Sequence, residues 1–178
     1  MDTAVTLMKI EIIDDFLSPY YADSLVKTFG GKKDGRGLFP WYFTNNLNTV
    51  ERLGNYYFNH LLIVDYKVEN PEWLPLFEPL VNRIGISVNN IWRLKANLYP
   101  RTQRRVHHVS HYDYEPDSGL RTVLYYVNDN NGFTVFDGKR KIRSKRNRAI
   151  VFDGSNKHHS TTPTNSNWRC SINIDYKL

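Results

Sequence analysis

Two rhythms of apolar residues divide this chain. From residue 91 onward, short runs rich in Val, Ile, Tyr and Phe are separated by Gly, Asn and Asp: IWRLKANLYP, RVHHVSHYD, RTVLYYVN, GFTVFDG, KRKIRS, RAIVFDG and WRCSINIDYKL. Such runs read as strands whose side chains alternate between two faces. Asp137-Gly138, between FTVF and KRKI, is a two-residue hairpin signal. The front half is mixed and mostly helical. LMKIEII (7–13) alternates as a strand does, and PWYFTNN reads as another. Ser18 is placed to cap a helix that begins at Pro19 and runs through PYYADSLVKTF. VERLGNYYFNHLL (50–62) reads best as helical, with His60 a structural residue inside it. Trp73, Phe77, Leu80, Val81 and Ile84 recur at helical spacing despite the prolines among them.

The expected fold is therefore mainly β with flanking helices. Residues 1–90 supply a mixed α/β buttress and the first strands. Residues 91–178 are strands closing into a barrel or sandwich, with the helices on one outer face. No repeat or long linker divides the chain, so 1–178 reads as one domain. GGKKDGRG (30–37) is a loop by its glycines and charges; it and EPDSG (115–119) are candidates for a lid.

Composition narrows the setting. A single cysteine, Cys170, excludes an intramolecular disulfide and fits a reducing compartment. The N-terminal run carries acidic residues and lacks a basic start, unlike a signal peptide, and no segment is long and apolar enough to span a bilayer. A cytoplasmic protein with no membrane partner is expected. The net charge of +6 owes much to GKRKIRSKRNR (138–148), with seven Lys or Arg in eleven positions. That segment reads as a solvated hairpin or, alternatively, as an electrostatic footprint for nucleic acid.

The chemistry is concentrated in two knots. RRVHHVSHYDYEP (104–116) and DGSNKHHSTTP (153–163) hold five of the six histidines. On a strand, His111 and Asp113 share a face and can offer an imidazole and a carboxylate to one ion. A histidine from the second knot, His158 or His159, would complete a set of two His and one carboxylate. Such a set leaves adjacent positions open on a six-coordinate metal, as non-haem Fe(II) oxygen chemistry needs. On an unbroken strand His107 would line the same pocket and His108 would face out. On the last strand Arg169, Ser171, Asn173 and Asp175 share one face, opposite Cys170, Ile172, Ile174 and Tyr176. An arginine facing inward beside a metal wants an anion, and a hydroxyl two residues on can add a hydrogen bond.

His111-x-Asp113, His158 and Arg169-x-Ser171, in that order and spacing, resemble the signature of Fe(II)- and 2-oxoglutarate-dependent dioxygenases, in the prolyl-4-hydroxylase-like branch. LYYVNDNNGFTVFD is similar to a strand, Asn and Gly-rich turn of that branch, and KANLYP and LYYVNDNNG resemble the small versions carried by bacteriophages, for which the compartment would be the host cytoplasm. The likeness covers roughly residues 91–176. It implies a double-stranded β-helix, or jelly roll, with N-terminal helices packed on the larger sheet. It implies Fe(II), 2-oxoglutarate as cosubstrate and O2, with succinate and CO2 released as a substrate is hydroxylated. It further implies Arg169 and Ser171 at the distal carboxylate of 2-oxoglutarate, with Tyr126 and then Tyr99 as aromatic neighbours. The wording F-D-G-x-x-x-H, counted from Phe152, favours His158 as the third ligand. The branch favours a protein or peptide substrate. Collagen-type members carry lysine where this chain has Arg169, so a collagen-like substrate does not follow. The competing readings are a jelly-roll binding module without turnover, for instance for nucleic acid, and a dioxygenase acting on nucleic acid.

Overall fold

The structure is a computed structural model that describes residues 9–31, 38–45, 56–116 and 118–178. Its described strands are β1 (Glu11–Ile13), β2 (Tyr42–Thr44), β3 (Tyr57–Val64), β4 (Lys67–Val68), β5 (Ile91–Pro100), β6 (Leu120–Tyr126), β7 (Phe133–Phe136), β8 (Arg140–Arg143), β9 (Arg148–Asp153), β10 (His158–Ser160) and β11 (Trp168–Lys177). Two α-helices join them, α1 (Pro19–Gly30) and α2 (Glu78–Ile84). The larger antiparallel sheet runs β1-β9-β6-β11-β5-β3-β2, with β4 on β3; the smaller runs β10-β7-β8. This is the expected double-stranded β-helix.

Alternation along β11 explains how the layers divide. Cys170, Ile172, Ile174 and Tyr176 join Leu25 and Phe29 of α1 and Leu80 and Val81 of α2 in one apolar cluster, so the helices cover the outer face of the larger sheet. Each fully buried aliphatic side chain there contributes about 1.5–3 kcal/mol. The inner faces meet in a second cluster, where Leu124, Tyr126, Ile150 and Phe152 pack against Phe136 and Ile142 of the smaller sheet. Toward β5 and β11 this inner layer turns polar, and the site lies there.

The helix at Pro19 forms as its signals predict, with Ser18 Oγ accepting from Tyr21 N at 3.3 Å. Four expectations are corrected. Tyr57–Val64, expected to be helical over its first residues, is a strand; residues 50–55 of that stretch lie outside the described residues. A register shift between Leu61 and Ile63 sends both Leu62 and Ile63 into the core. That bulge erases the period-2 signal and leaves a continuous apolar run. With β1 to β4 all in it, the front half carries more strand than was expected. The helix across 71–84 is two pieces, a 3-10 turn over Pro71–Leu76 and then α2. Pro75 has no N–H to carry an α-helical ladder through. The β7–β8 turn is one residue wider than a two-residue hairpin, since Phe136 pairs with Arg140, although Asp137 and Gly138 take the positive φ values of 46° and 67° that such turns need. Finally, RVHHVSHYD is no continuous strand, as its geometry below shows. Of the loop candidate 30–37, Gly30 is the last residue of α1 and residues 32–37 lie outside the described residues, as does Asp117 of EPDSG. His60 is structural as read: it is buried, with Nδ1 3.0 Å from Pro40 O.

Candidate metal and anion site

The first knot touches the second through two isolated bridges, His107 with Thr161 and His111 with His158. Three residues lie between the bridges on one side and two on the other. The extra residue is a bulge, and a one-residue slip reverses which side chains face in. This overturns the expectation for His107 and His108. His108 is buried, its ring 5.0 Å from that of Tyr99 and its Nδ1 2.8 Å from Ser160 Oγ. His107 faces out, its Nδ1 3.0 Å from His159 Nε2. On β10, unpredicted from the sequence, His158 turns in and His159 out.

Past the bulge, His111 and His158 lie directly opposite and exchange backbone hydrogen bonds of 2.9 Å in both directions. Asp113 N then donates to Gly154 O at 2.9 Å, which fixes the start of the next bend. One ligand atom each from His111, Asp113 and His158 lie within 4.8 Å of one another. Both rings are set the same way. His111 Nδ1 lies 3.1 Å from Val109 O and His158 Nδ1 2.8 Å from Asn156 O, each a carbonyl two residues back. A carbonyl can only accept, so Nδ1 carries the proton and Nε2 keeps its lone pair for the cluster. Burial and the neighbouring His158 push His111 down to about 4, so it stays neutral at ordinary pH. Asp113 Oδ2 is buried without a hydrogen-bond partner and sits 3.5 Å from His158 Nε2. Two lone pairs and an orphaned carboxylate oxygen facing one point fit a divalent cation.

Asp113 is held from behind by a residue the sequence did not single out. Arg93 Nη2 donates to Asp113 Oδ1 at 2.7 Å and Arg93 Nε to Asp175 Oδ2 at 2.7 Å. Asp175 also accepts from Thr122 Oγ1 at 2.8 Å. One arginine thus faces two buried carboxylates. Burial raises Asp175; it opposes the charge on Asp113 as well, but His158 and Arg93 hold that group below its ordinary range.

The cavity, about 40 Å³, has its floor at Arg169, Ser171 and Thr134 and its more exposed mouth at His111 and Lys95. Arg169 is wholly buried. Its Nε donates to Ser144 Oγ at 2.7 Å and its Nη2 to Thr134 Oγ1 at 3.1 Å, while Nη1 has no partner. The guanidinium lies over the rings of Tyr99, at 5.1 Å, and Tyr126, at 5.6 Å. Tyr126 donates its hydroxyl to Thr134 Oγ1 at 2.8 Å. Thr134 therefore accepts twice and has its own proton left for whatever occupies the floor. Ser144, just past β8, and Thr134, in β7, were not foreseen, because isolated hydroxyls carry no motif. The inward alternation of FTVF and KRKIRS was the available signal.

The basic segment 138–148 is partly committed to the fold. Arg148 Nε and Lys145 Nζ meet Asp14 at 2.6 and 2.9 Å, and Arg146 Nη1 meets Asp23 at 2.9 Å. Three of its seven cations thus bind the N-terminal segment and α1.

Burial pushes His108 down to about 3 from an ordinary 6.5, which gives a testable acid dependence. The ring folds neutral, so its contribution is complete above about pH 6.5 and is lost as pH falls toward about 3. In metal-free protein, replacing His108 by Gln is expected to flatten the decline in stability below neutrality, by about 2 kcal/mol at about pH 5. Urea unfolding at stepped pH measures this; parallel curves for the two proteins would refute it.

No protein-family model matches the sequence, and no curated protein sequence matches it. Solved structures share the fold. A prolyl-4-hydroxylase from Pseudomonas putida is 14% identical with a TM-score of 0.64, covering 97% of this chain and 94% of its own. A prolyl hydroxylase from Trichoplax adhaerens, solved with a peptide fragment of the oxygen degradation domain of hypoxia inducible factor, is 16% identical with a TM-score of 0.53, covering 94% and 83%. The non-haem α-ketoglutarate-dependent epimerase SnoN of nogalamycin biosynthesis is 9% identical with a TM-score of 0.65, covering 96% and 78%. These likenesses establish the fold of the 2-oxoglutarate-Fe(II) oxygenases for this chain.

Proposed function

We propose that this chain is an Fe(II)- and 2-oxoglutarate-dependent hydroxylase acting on a protein or peptide side chain. One observation carries the reading: a single cavity holds two buried charged groups of opposite sign, each with one atom left without a hydrogen-bond partner, Asp113 Oδ2 beside two imidazole lone pairs and Arg169 Nη1 at the floor. Buried polar groups without partners are costly and rare unless a ligand supplies what is missing. A divalent metal answers the first and a carboxylate the second.

His111, Asp113 and His158 would hold Fe(II), which supplies oxygen activation when bound. Arg169, with Ser171, Thr134, Tyr126 and Tyr99 around it, would hold the distal carboxylate of 2-oxoglutarate. The chain's own work is positional. The two backbone carbonyls fix the histidine tautomers, Arg93 presents one oxygen of Asp113, and the Ser144–Arg169–Thr134 chain aims Nη1 at the cavity. The buried floor keeps water from competing for the carboxylate. The peptide part of the reading leans on the Trichoplax neighbour, which was solved with a peptide. Pairing of Lys145, Arg146 and Arg148 with Asp14 and Asp23 gives a nucleic-acid footprint less to stand on.

Anaerobic addition of Fe(II) and 2-oxoglutarate should produce a weak visible charge-transfer band, and oxygen should then release succinate. Neither signal appearing would sink the proposal. His158→Ala should abolish the band, while His159→Ala should keep it. The reverse outcome would move the ligand to the outward-facing histidine.

A further inference from the structure

Lys95 has no part in the chemistry above. It lies on the cavity-facing side of β5, opposite Asn173 of β11 and Leu61 of β3. Among the described residues its ammonium makes no hydrogen bond or ion pair. Its Nζ stands over the face of Tyr57, 5.7 Å from the ring centroid. Two residues on, Asn97 is 2% exposed and donates Nδ2 to Asn173 Oδ1 at 3.0 Å, which leaves its own Oδ1 without a partner. A cation with no hydrogen-bonded or ion-paired partner and an acceptor with no donor thus stand side by side in the wall of the cavity that holds His111, Asp113 and His158; Asp113 and Asp175 act on the ammonium only at a distance. Burial also pushes the Lys95 ammonium down to about 8, a strain that a bound anion would relieve.

We propose that Lys95 and Asn97 form a recognition point for a substrate carboxylate and the N–H beside it. The substrate class is then an N-acylated amino acid or a peptide that presents a free carboxylate at the mouth of the cavity. The inference rests on the hydroxylase reading only in calling the bound molecule the substrate. Cosubstrate is a poorer occupant. Arg169 pairs in register with Tyr99, four residues along β5 from Lys95, or about 13 Å of strand. The two cations therefore stand at opposite ends of the cavity, each suited to its own anion. A phosphodiester is poorer again, because nucleic-acid backbones are gripped by several donors together, and here the second group is an acceptor.

The probe is N-acetylglycinate, which carries one carboxylate and one neighbouring N–H. Its binding is measured by calorimetry to protein loaded with Mn(II) and 2-oxoglutarate, and to metal-free protein. Wild type should bind it saturably. Lys95→Met should bind it about tenfold more weakly or worse, and Lys95→Arg should stay within about threefold. Affinity for Mn(II) and 2-oxoglutarate should be unchanged in both variants, and thermal melting checks that they fold. N-acetylglycinamide should bind poorly. The proposal falls if wild type shows no saturable binding, if Lys95→Met binds the probe equally, or if the amide binds as well as the acid. It also falls if Lys95→Met weakens 2-oxoglutarate instead, which makes the anion the cosubstrate's, or if a short oligonucleotide displaces the probe. If metal and cosubstrate fail to load, the hydroxylase reading fails, but the metal-free titration still reports on Lys95.

Discussion

Replacing Arg169 by glutamine should weaken 2-oxoglutarate binding about a hundredfold or more and, at the same time, raise the thermal stability of the ligand-free protein. The two effects have one cause. Arg169 is wholly buried, yet its hydrogen-bond partners are the neutral hydroxyls of Ser144 and Thr134, and no carboxylate pairs with it among the described residues. A buried cation without a counter-ion is a standing cost to the fold. If the role were structural, a neutral side chain, or an arginine paired with a carboxylate, would serve better. The cost is sensible only if an anion is meant to arrive. Hydrogen bonds to a charged group contribute about 1.5–3 kcal/mol each, so losing the guanidinium removes about 3 kcal/mol or more of binding. Melting curves with Mn(II), with and without 2-oxoglutarate, separate the terms. Wild type should gain stability on adding 2-oxoglutarate and the variant should not. A variant that is less stable than wild type yet still stabilised by 2-oxoglutarate would make Arg169 a structural residue. Gly132→Ala is the companion test. A Cβ there would stand 2.6 Å from Arg169 Cδ and 2.8 Å from Asn130 Oδ1, so it should disturb the same binding through the shape of the pocket alone.

How much of this could be read from the chain follows from which signals are local. The strand β5, the helix at Pro19 and the two faces of β11 were legible because capping and strict alternation are written in neighbouring residues. Arg169 was legible because alternation along β11 fixes its side, and His111 and Asp113 were legible as a pair two residues apart, although they lie on no continuous strand. The bulges were not. At Leu62 and Ile63 two consecutive residues enter the core, and at His107 and His108 the slip between paired segments exchanges inside for outside. Each is set by the partner segment, so a single-strand periodicity gives the wrong face. Arg93, Asp175, Thr134 and Ser144 escaped for another reason. Asp175 lies 62 residues beyond Asp113, and Arg93, on β5, joins the two. Only the register of β5 against β11 puts them together, with Arg93 opposite Asp175.

That register sets up the second large effect. Arg93→Met should lower stability by about 3–5 kcal/mol, because two buried carboxylates lose their shared cation, and should weaken Mn(II) or Co(II) binding about 10- to 100-fold. The sign of the second effect needs argument, since removing a positive charge near a cation site might be thought to help. The charge is already balanced by Asp175, and without Arg93 that carboxylate, already raised by burial, would take up a proton. The field at the metal point changes little on either count. Orientation is what is lost: Arg93 Nη2 engages Oδ1 of Asp113 and thereby leaves Oδ2 toward His158. Lysine cannot substitute, because the two donors serve two different carboxylates and a single ammonium has no such fork. Adding Asp175→Asn to Arg93→Met should recover much of the stability by removing the second charge, yet recover none of the metal affinity. Calorimetric metal titration and urea unfolding of the single and double variants test both halves. If Arg93→Met binds Co(II) as tightly as wild type, then the Asp113 N to Gly154 O bond alone orients the carboxylate, and the arginine serves only the fold.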